Sequence, residues 1–162
     1  MNKEENRIYI RRQFIQELEE KGLNNEESFM IAYYDGPIVP KGHPNYNKNI
    51  KVDLDIRKSG DYIYSTACYD GIQYYLNSEI VDKLYTYVEK NINTLVKLNN
   101  NQGIDNIDGG GGPLRIKYKS EMIYLKEKIA PLIDKAIIMK IHHDIKIIIL
   151  NSNPEVIDKE GE

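Results

Sequence analysis

Ile50-Lys51-Val52-Asp53-Leu54-Asp55-Ile56, followed by Arg57, the turn Lys58-Ser59-Gly60-Asp61 and the run Tyr62-Ile63-Tyr64-Ser65-Thr66-Ala67-Cys68-Tyr69, decides the fold class. In the first run Ile50, Val52, Leu54 and Ile56 alternate with Lys51, Asp53 and Asp55. That period of two belongs to a strand with one apolar and one polar face. The glycine turn sends the chain back, and the second run repeats the alternation, with Tyr62, Tyr64 and Thr66 on one face and Ile63, Ser65 and Ala67 on the other. The pair reads as a β-hairpin, so the protein is built on an antiparallel sheet.

Upstream, Phe29 to Tyr34 reads as another strand, stopped by Asp35-Gly36-Pro37 and followed by a polar loop over residues 37–49. Glu4 to Lys21 reads as a first helix. Ile8, Ile15 and Leu18 share a stripe, acidic residues open it, and Lys21-Gly22 suits a glycine C-cap. Downstream, Ser78 is placed to cap a helix running to about Leu98, with Ile80, Leu84, Val88, Ile92 and Leu95 as its core stripe. Residues 99–113 are rich in Asn and Gly and read as a flexible loop. Leu114 to Tyr118 reads as a short strand. Ser120 then opens a further helix with Met122, Leu125, Ile129, Leu132, Ile133, Ala136 and Ile137 at helical spacing; Pro131 kinks it or starts a fresh helix. Ile145 to Leu150 reads as a buried closing strand, and residues 151–162 as a charged, mobile tail.

The element order is therefore α-β-β-β-α-β-α-β. The expected class is α+β: a mostly antiparallel sheet of about five strands with three or four helices packed on one face. Residues 1–150 form one domain. The run from Phe29 to Tyr69 contains no crossover helix, which disfavours a parallel doubly wound sheet; the last strand could still lie parallel to the Leu114 strand through its connecting helix.

The chain has 162 residues and a net charge of −3. That is enough for one core without staples, and the acidity opposes a binder that relies on bulk attraction to phosphate. Cys68 is the one cysteine, so no internal disulfide forms and a reducing compartment is expected. The start is charged and unlike a signal peptide. The most apolar stretch, Ile137 to Leu150, is too short and too charged to span a bilayer. The expected location is cytoplasmic, with no membrane partner.

Several groups of residues could carry chemistry. Gly109, Gly110, Gly111 and Gly112 are followed by a proline and a strand, and not by the Lys-Ser/Thr and helix of a phosphate loop; they read as a connector or as a lid. Asp53, Asp55 and Arg57 share the polar face of one strand, where the carboxylates could split acid and base roles or form a solvated charged face. His142-His143-Asp144 is the one histidine pair. In an extended backbone His142 and Asp144 share a face, but a third ligand is missing. His43 lies in a polar loop. Cys68 carries no nucleophile signature and reads as a structural thiol. No cofactor and no metal site is expected.

Tyrosine is the dominant aromatic, with 13 Tyr against 2 Phe and no Trp, so much of any aromatic contact surface must be built from it. Two tetrads, Tyr33-Tyr34-Asp35-Gly36 and Cys68-Tyr69-Asp70-Gly71, end in a turn pair, with Tyr74 and Tyr75 following the second. Each reads as turn chemistry. Together they suggest an aromatic and acidic surface formed by Tyr33, Tyr34, Asp35, Asp53, Asp55, Arg57, Tyr69 and Asp70. Tyrosines beside carboxylates suit a protein partner or a small polar ligand.

In size, acidity and lack of a catalytic motif the chain resembles, in general character, bacterial immunity proteins and phage-encoded inhibitors, which neutralise a toxin or defence component by occupying its surface. The likeness is one of composition and size, not of motif. The expectation is a non-catalytic binding protein. One alternative is an enzyme on a small or nucleotide-like substrate, using Asp53, Asp55, His142 or His143 with the glycine loop as lid. Another is a nucleic-acid regulator using Arg7, Arg11 and Arg12, although the acidic balance makes nucleic acid an unfavourable partner.

Overall fold

A computed structural model describes residues 3–35, 51–102 and 113–157. In chain order these form α1 (Lys3–Glu20), β1 (Phe29–Asp35), β2 (Lys51–Ser59), β3 (Tyr62–Tyr69), β4 (Ile72–Tyr75), α2 (Ser78–Asn101), β5 (Leu114–Tyr118), β6 (Glu121–Leu125), a short 3₁₀ turn (Glu127–Ile129), α3 (Leu132–Asn151) and β7 (Glu155–Val156). The strands make one sheet in the order β6-β5-β1-β2-β3-β4-β7, and each neighbouring pair is antiparallel. The class is α+β, as expected.

Two-residue turns set the registers. Gly60, at φ 60°, leads the β2–β3 turn, and Ser59 pairs with Tyr62 across it. Asp70 and Gly71, at φ 53° and 78°, join Tyr69 to its partner Ile72. Positive φ at both central residues is the type I′ geometry that matches strand twist, and Asp-Gly is suited to it.

Alternation along the strands sorts the side chains onto two faces. Phe29, Ile31, Leu54, Ile56, Ala67, Leu114 and Ile116 face one way and form the main core with Ile80, Leu84, Val88 and Leu95 of α2 and Ile138, Ile141, Ile145 and Ile149 of α3. Each fully buried aliphatic side chain contributes about 1.5–3 kcal/mol. Met30 and Ala32, of the opposite parity in β1, pack against Phe14, Leu18 and Leu23 from α1 and the chain that follows it. The helices are thus divided between the faces, with α2 and α3 on one and α1 on the other, and the expected single-sided packing does not hold for α1.

The end of α1 explains its placement. Gly22 sits at φ 70°, its amide bonds to Glu19 O at 3.1 Å, and the Leu23 amide reaches back to Leu18 O at 2.7 Å. This is the Schellman arrangement, and it brings the apolar pair Leu18 and Leu23 together. Arg115 on β5 ties to Glu17 on α1, and the buried Lys117 donates to the carbonyls of Asn25 and Ser28 in the α1–β1 connection. Burial holds the Lys117 ammonium below its ordinary range.

Several elements differ from expectation. β4 falls where no strand was expected, and α2 extends through residues 99–101 of the expected flexible loop. The helix foreseen from Ser120 is first the strand β6, which pairs with β5 through a turn at Lys119, itself at φ 52°. The fresh helix start at Pro131 is borne out, since Pro131 is the N-cap residue of α3. That helix runs on through Ile145 to Leu150, so the expected closing strand is helical and its proposed parallel pairing does not occur. The cap of α2 is Asn77, whose side chain accepts from the Ile80 amide at 3.0 Å, and not Ser78. Residues 155–156 of the expected tail pair with β4, with the Ile157 amide bonded to Gln73 O at 2.9 Å; residues 158–162 lie outside the described residues.

Candidate functional site

α1 covers the β1 and β6 side of its face, where Met30, Ala32 and Met122 meet it. The same face continues over β2, β3 and β4, and there no helix among the described residues lies on it. Alternation puts Asp55 and Arg57 of β2, Tyr62, Tyr64 and Thr66 of β3, and Tyr75 of β4 on it. Three large aromatic rings stand in solvent: Tyr62 is 55% exposed, Tyr64 44% and Tyr75 45%.

The polar groups on this open half are held in place. Asp55 is buried and accepts two hydrogen bonds from Arg57, Nε to Oδ1 and Nη2 to Oδ2, each 2.8 Å. Arg57 pairs across the ladder with Tyr64, and its guanidinium carbon lies 5.0 Å from the Tyr64 ring centre. A bidentate carboxylate on one side and an aromatic face on the other fix the guanidinium plane. Thr66 sits between Asp55 and Tyr75 in the next row of the ladder. The result is a platform of three tyrosines around one oriented arginine.

A second feature lies on the other face, where α3 crosses the ends of β1 and β3. A groove of about 390 Å³ is lined by Tyr33, Leu54, Tyr69 and Asp70 from the sheet and by Met139, His142, His143 and Lys146 from α3. Tyr33 meets His142 edge-on, with ring centres 4.6 Å apart at 67°. The Lys146 ammonium stands 5.5 Å from the Tyr69 ring centre. Burial pushes the His142 imidazole below its ordinary range, against a smaller pull from Glu127. Asp144 does not join this groove. Burial pushes its carboxyl upward, but hydrogen bonds from Lys140 at 2.9 Å and from the Tyr87 hydroxyl at 2.8 Å hold it below the usual carboxylate range. The Tyr87 hydroxyl is driven far above its ordinary value by burial and by that carboxylate.

The single surface expected from the sequence is therefore two. Tyr33, Tyr69 and Asp70 come together in the groove; Asp55 and Arg57 lie on the opposite face of the sheet. Asp70 owes its position to the type I′ turn. The β1–β2 register shifts between Tyr33 and Tyr34, pairing them with Leu54 and Val52 and skipping Asp53. The side chains of Tyr34, Asp35 and Asp53 lie outside those described, as do Gly109, Gly110, Gly111, Gly112 and His43.

His142 and Asp144 sit on a helix, so the shared face expected of an extended chain is lost. Asp55 and His142 lie on opposite faces, and a catalytic pair between them is not formed. Among the described residues no group of three or more His, Cys, Asp or Glu is placed to hold a metal ion, and no helix is long and apolar enough to cross a membrane. Cys68 is partly buried at the rim of the groove. Arg11 and Arg12 are exposed on α1, and the side chain of Arg7 lies outside those described.

Lys146 is absent from the expected site, and Tyr62, Tyr64 and Tyr75 enter it only as neighbours. The parity that links Tyr62 and Tyr64 to Asp55 and Arg57 is visible in the sequence; which half of that face α1 leaves open is not. No family model, curated protein or solved structure matches this chain.

Proposed function

We propose that this chain is a non-catalytic binding protein that occupies a protein partner through the open half of its sheet, in the manner of an immunity-type or phage-encoded inhibitor. The observation that carries the reading is the exposure of Tyr62, Tyr64 and Tyr75 around Arg57 on one side of three paired strands. Tyr and Arg dominate the residues whose truncation weakens protein interfaces most. Tyrosine offers a large contact area with few rotatable bonds, and Arg57 is already ordered by Asp55 and Tyr64. Little further entropy is lost when such groups are covered.

The test is capture from a lysate of the source organism, wild type against the double variant Tyr64→Ser, Tyr75→Ser. Both positions are exposed, so circular dichroism of the variant should match the wild type. The expected result is one partner retained in stoichiometric amount by the wild type, with affinity reduced at least about a hundredfold in the variant if each tyrosine supplies about 2 kcal/mol. A partner held equally by both proteins, or no partner at all, removes the reading.

A further inference from the structure

α3 is apolar on both of its long sides. Ile138, Ile141, Ile145 and Ile149 fill the core. At about 100° per residue, Leu132, Ala136, Met139, His143, Ile147 and Leu150 gather on the side turned away from it. Leu132 is 85% exposed, Ile133 beside it 77%, Met139 53% and Ile147 39%. A helix on the surface of a domain normally carries polar residues there, and a helix that is apolar all round is normally buried. The stripe advances by three and four residues, the spacing of a helix–helix seam. From Leu132 to Leu150 it runs about 27 Å, at about 1.5 Å per residue.

One flank is basic. Lys135 and Lys146 are three helical turns apart and edge the stripe on the same side; Lys140 edges the other, where it is bonded to Asp144. Asp144, the carboxylate of α3 nearest the stripe, is also bonded to Tyr87. Asp134 holds a carboxylate oxygen buried.

We propose that the outer face of α3 is the docking site for an amphipathic helix of another protein whose apolar seam is flanked by acidic residues. The seam spacing calls for a helix, and Lys135 and Lys146 call for carboxylates along the edge that faces them. A second copy of this chain fits poorly. An antiparallel pair centred on the stripe brings matching flanks together, so Lys135 of one copy opposes Lys146 of the other, twice over. Like charges set against each other across a seam oppose association. Met139 and Lys146 also line the groove beside Tyr33 and Tyr69, which gives the incoming helix an indentation for one side chain. This face lies on the α3 side of the sheet and the tyrosine platform on the α1 side, so the proposal stands apart from the function proposed above.

The probes are two labelled synthetic peptides of about 21 residues, three heptads with leucine at the seam, one flanked by Glu and the other by Lys. Fluorescence anisotropy against the full chain is expected to show the Glu-flanked peptide binding at least about tenfold more tightly. Met139→Glu with Ile147→Glu is expected to abolish that binding without changing the circular dichroism. Lys135→Glu with Lys146→Glu is expected to reverse the preference. Equal binding of both peptides, or of neither, overturns the proposal. So does a dimer by light scattering that Met139→Glu dissociates, which assigns the face to a second copy. Sedimentation with phosphatidylglycerol vesicles that the same substitution abolishes assigns it to a lipid surface and overturns it too.

Discussion

Arg57→Ala separates the platform's architecture from its composition. The wild-type guanidinium makes two charge-assisted hydrogen bonds to Asp55 at 2.8 Å, each contributing about 1.5–3 kcal/mol when shielded from water. Solvent weakens them, since the Arg57 side chain is 26% exposed while that of Asp55 is 8% exposed. The loss should fall between that of a surface pair, at most about 1 kcal/mol, and that of a buried pair broken on one side, about 3–5 kcal/mol. Adding about 0.5 kcal/mol for the contact with Tyr64, we expect a destabilisation of about 2–3 kcal/mol, or about 4–12 °C in Tm for a chain of this size. The two partners are not equivalent. Asp55→Ala leaves a guanidinium that can turn to solvent and should cost about 1 kcal/mol, whereas Arg57→Ala strands a buried carboxylate. The double variant should be more stable than Arg57→Ala alone. Urea unfolding with an unchanged m-value measures all three. A loss below about 0.5 kcal/mol for Arg57→Ala, or equal losses for the two single variants, refutes an arginine locked by Asp55.

Two more outcomes follow from particular contacts. Asn77→Ala removes the side chain that accepts the Ile80 amide and should lower stability by about 1 kcal/mol in the same unfolding assay, with Asn77→Ser retaining most of the wild-type value. His142 is held below the ordinary histidine value of 6.5 by burial, so as pH falls the unfolded chain takes up that proton before the folded one; stability then declines as pH drops through 6.5 and levels off below the folded-state value. His142→Phe keeps a ring against Tyr33 and should flatten that decline, read as urea midpoints between about pH 8 and pH 5.

The strands that alternate cleanly were legible in the sequence. Leu54 and Ile56 against Asp55 and Arg57 give β2, and the glycine turn gives β3. The errors arise where two periods coincide. Met122, Leu125, Ile129 and Leu132 fit a helical spacing as well as Met122–Leu125 fits a strand, and the hairpin turn before them rests on Lys119 at positive φ and not on a glycine. Pairing with Leu114–Tyr118 decides for the strand, and pairing is a tertiary fact. The run Ile145-Lys146-Ile147-Ile148-Ile149-Leu150 has the β-branched composition of a buried strand, yet it is helical because Ile138, Ile141, Ile145 and Ile149 continue one stripe into the core. Packing outweighs propensities worth tenths of a kcal/mol per residue.

The site was half legible for a related reason. Period two tells which tyrosines of one strand share a side, but not what lies over that side. Strand order settles it: β1 is the third of seven strands, between β5 and β2. α1 lies against β1 and β6, so among the described residues β2, β3 and β4 keep one face without a helix. The tyrosines then divide by parity and by cover. Tyr33, Tyr69 and Tyr118 face α2 and α3 and are at least partly buried. Tyr62, Tyr64 and Tyr75 face the other way, past the reach of α1, and stay in solvent. A composition in which tyrosine supplies nearly all the aromatic surface thus serves two ends. The hydroxyls of two inward-facing rings find carboxylates, Tyr118 with Glu89 at 3.0 Å and Tyr87 with Asp144 at 2.8 Å, and the exposed rings form an apolar surface that their hydroxyls keep compatible with water.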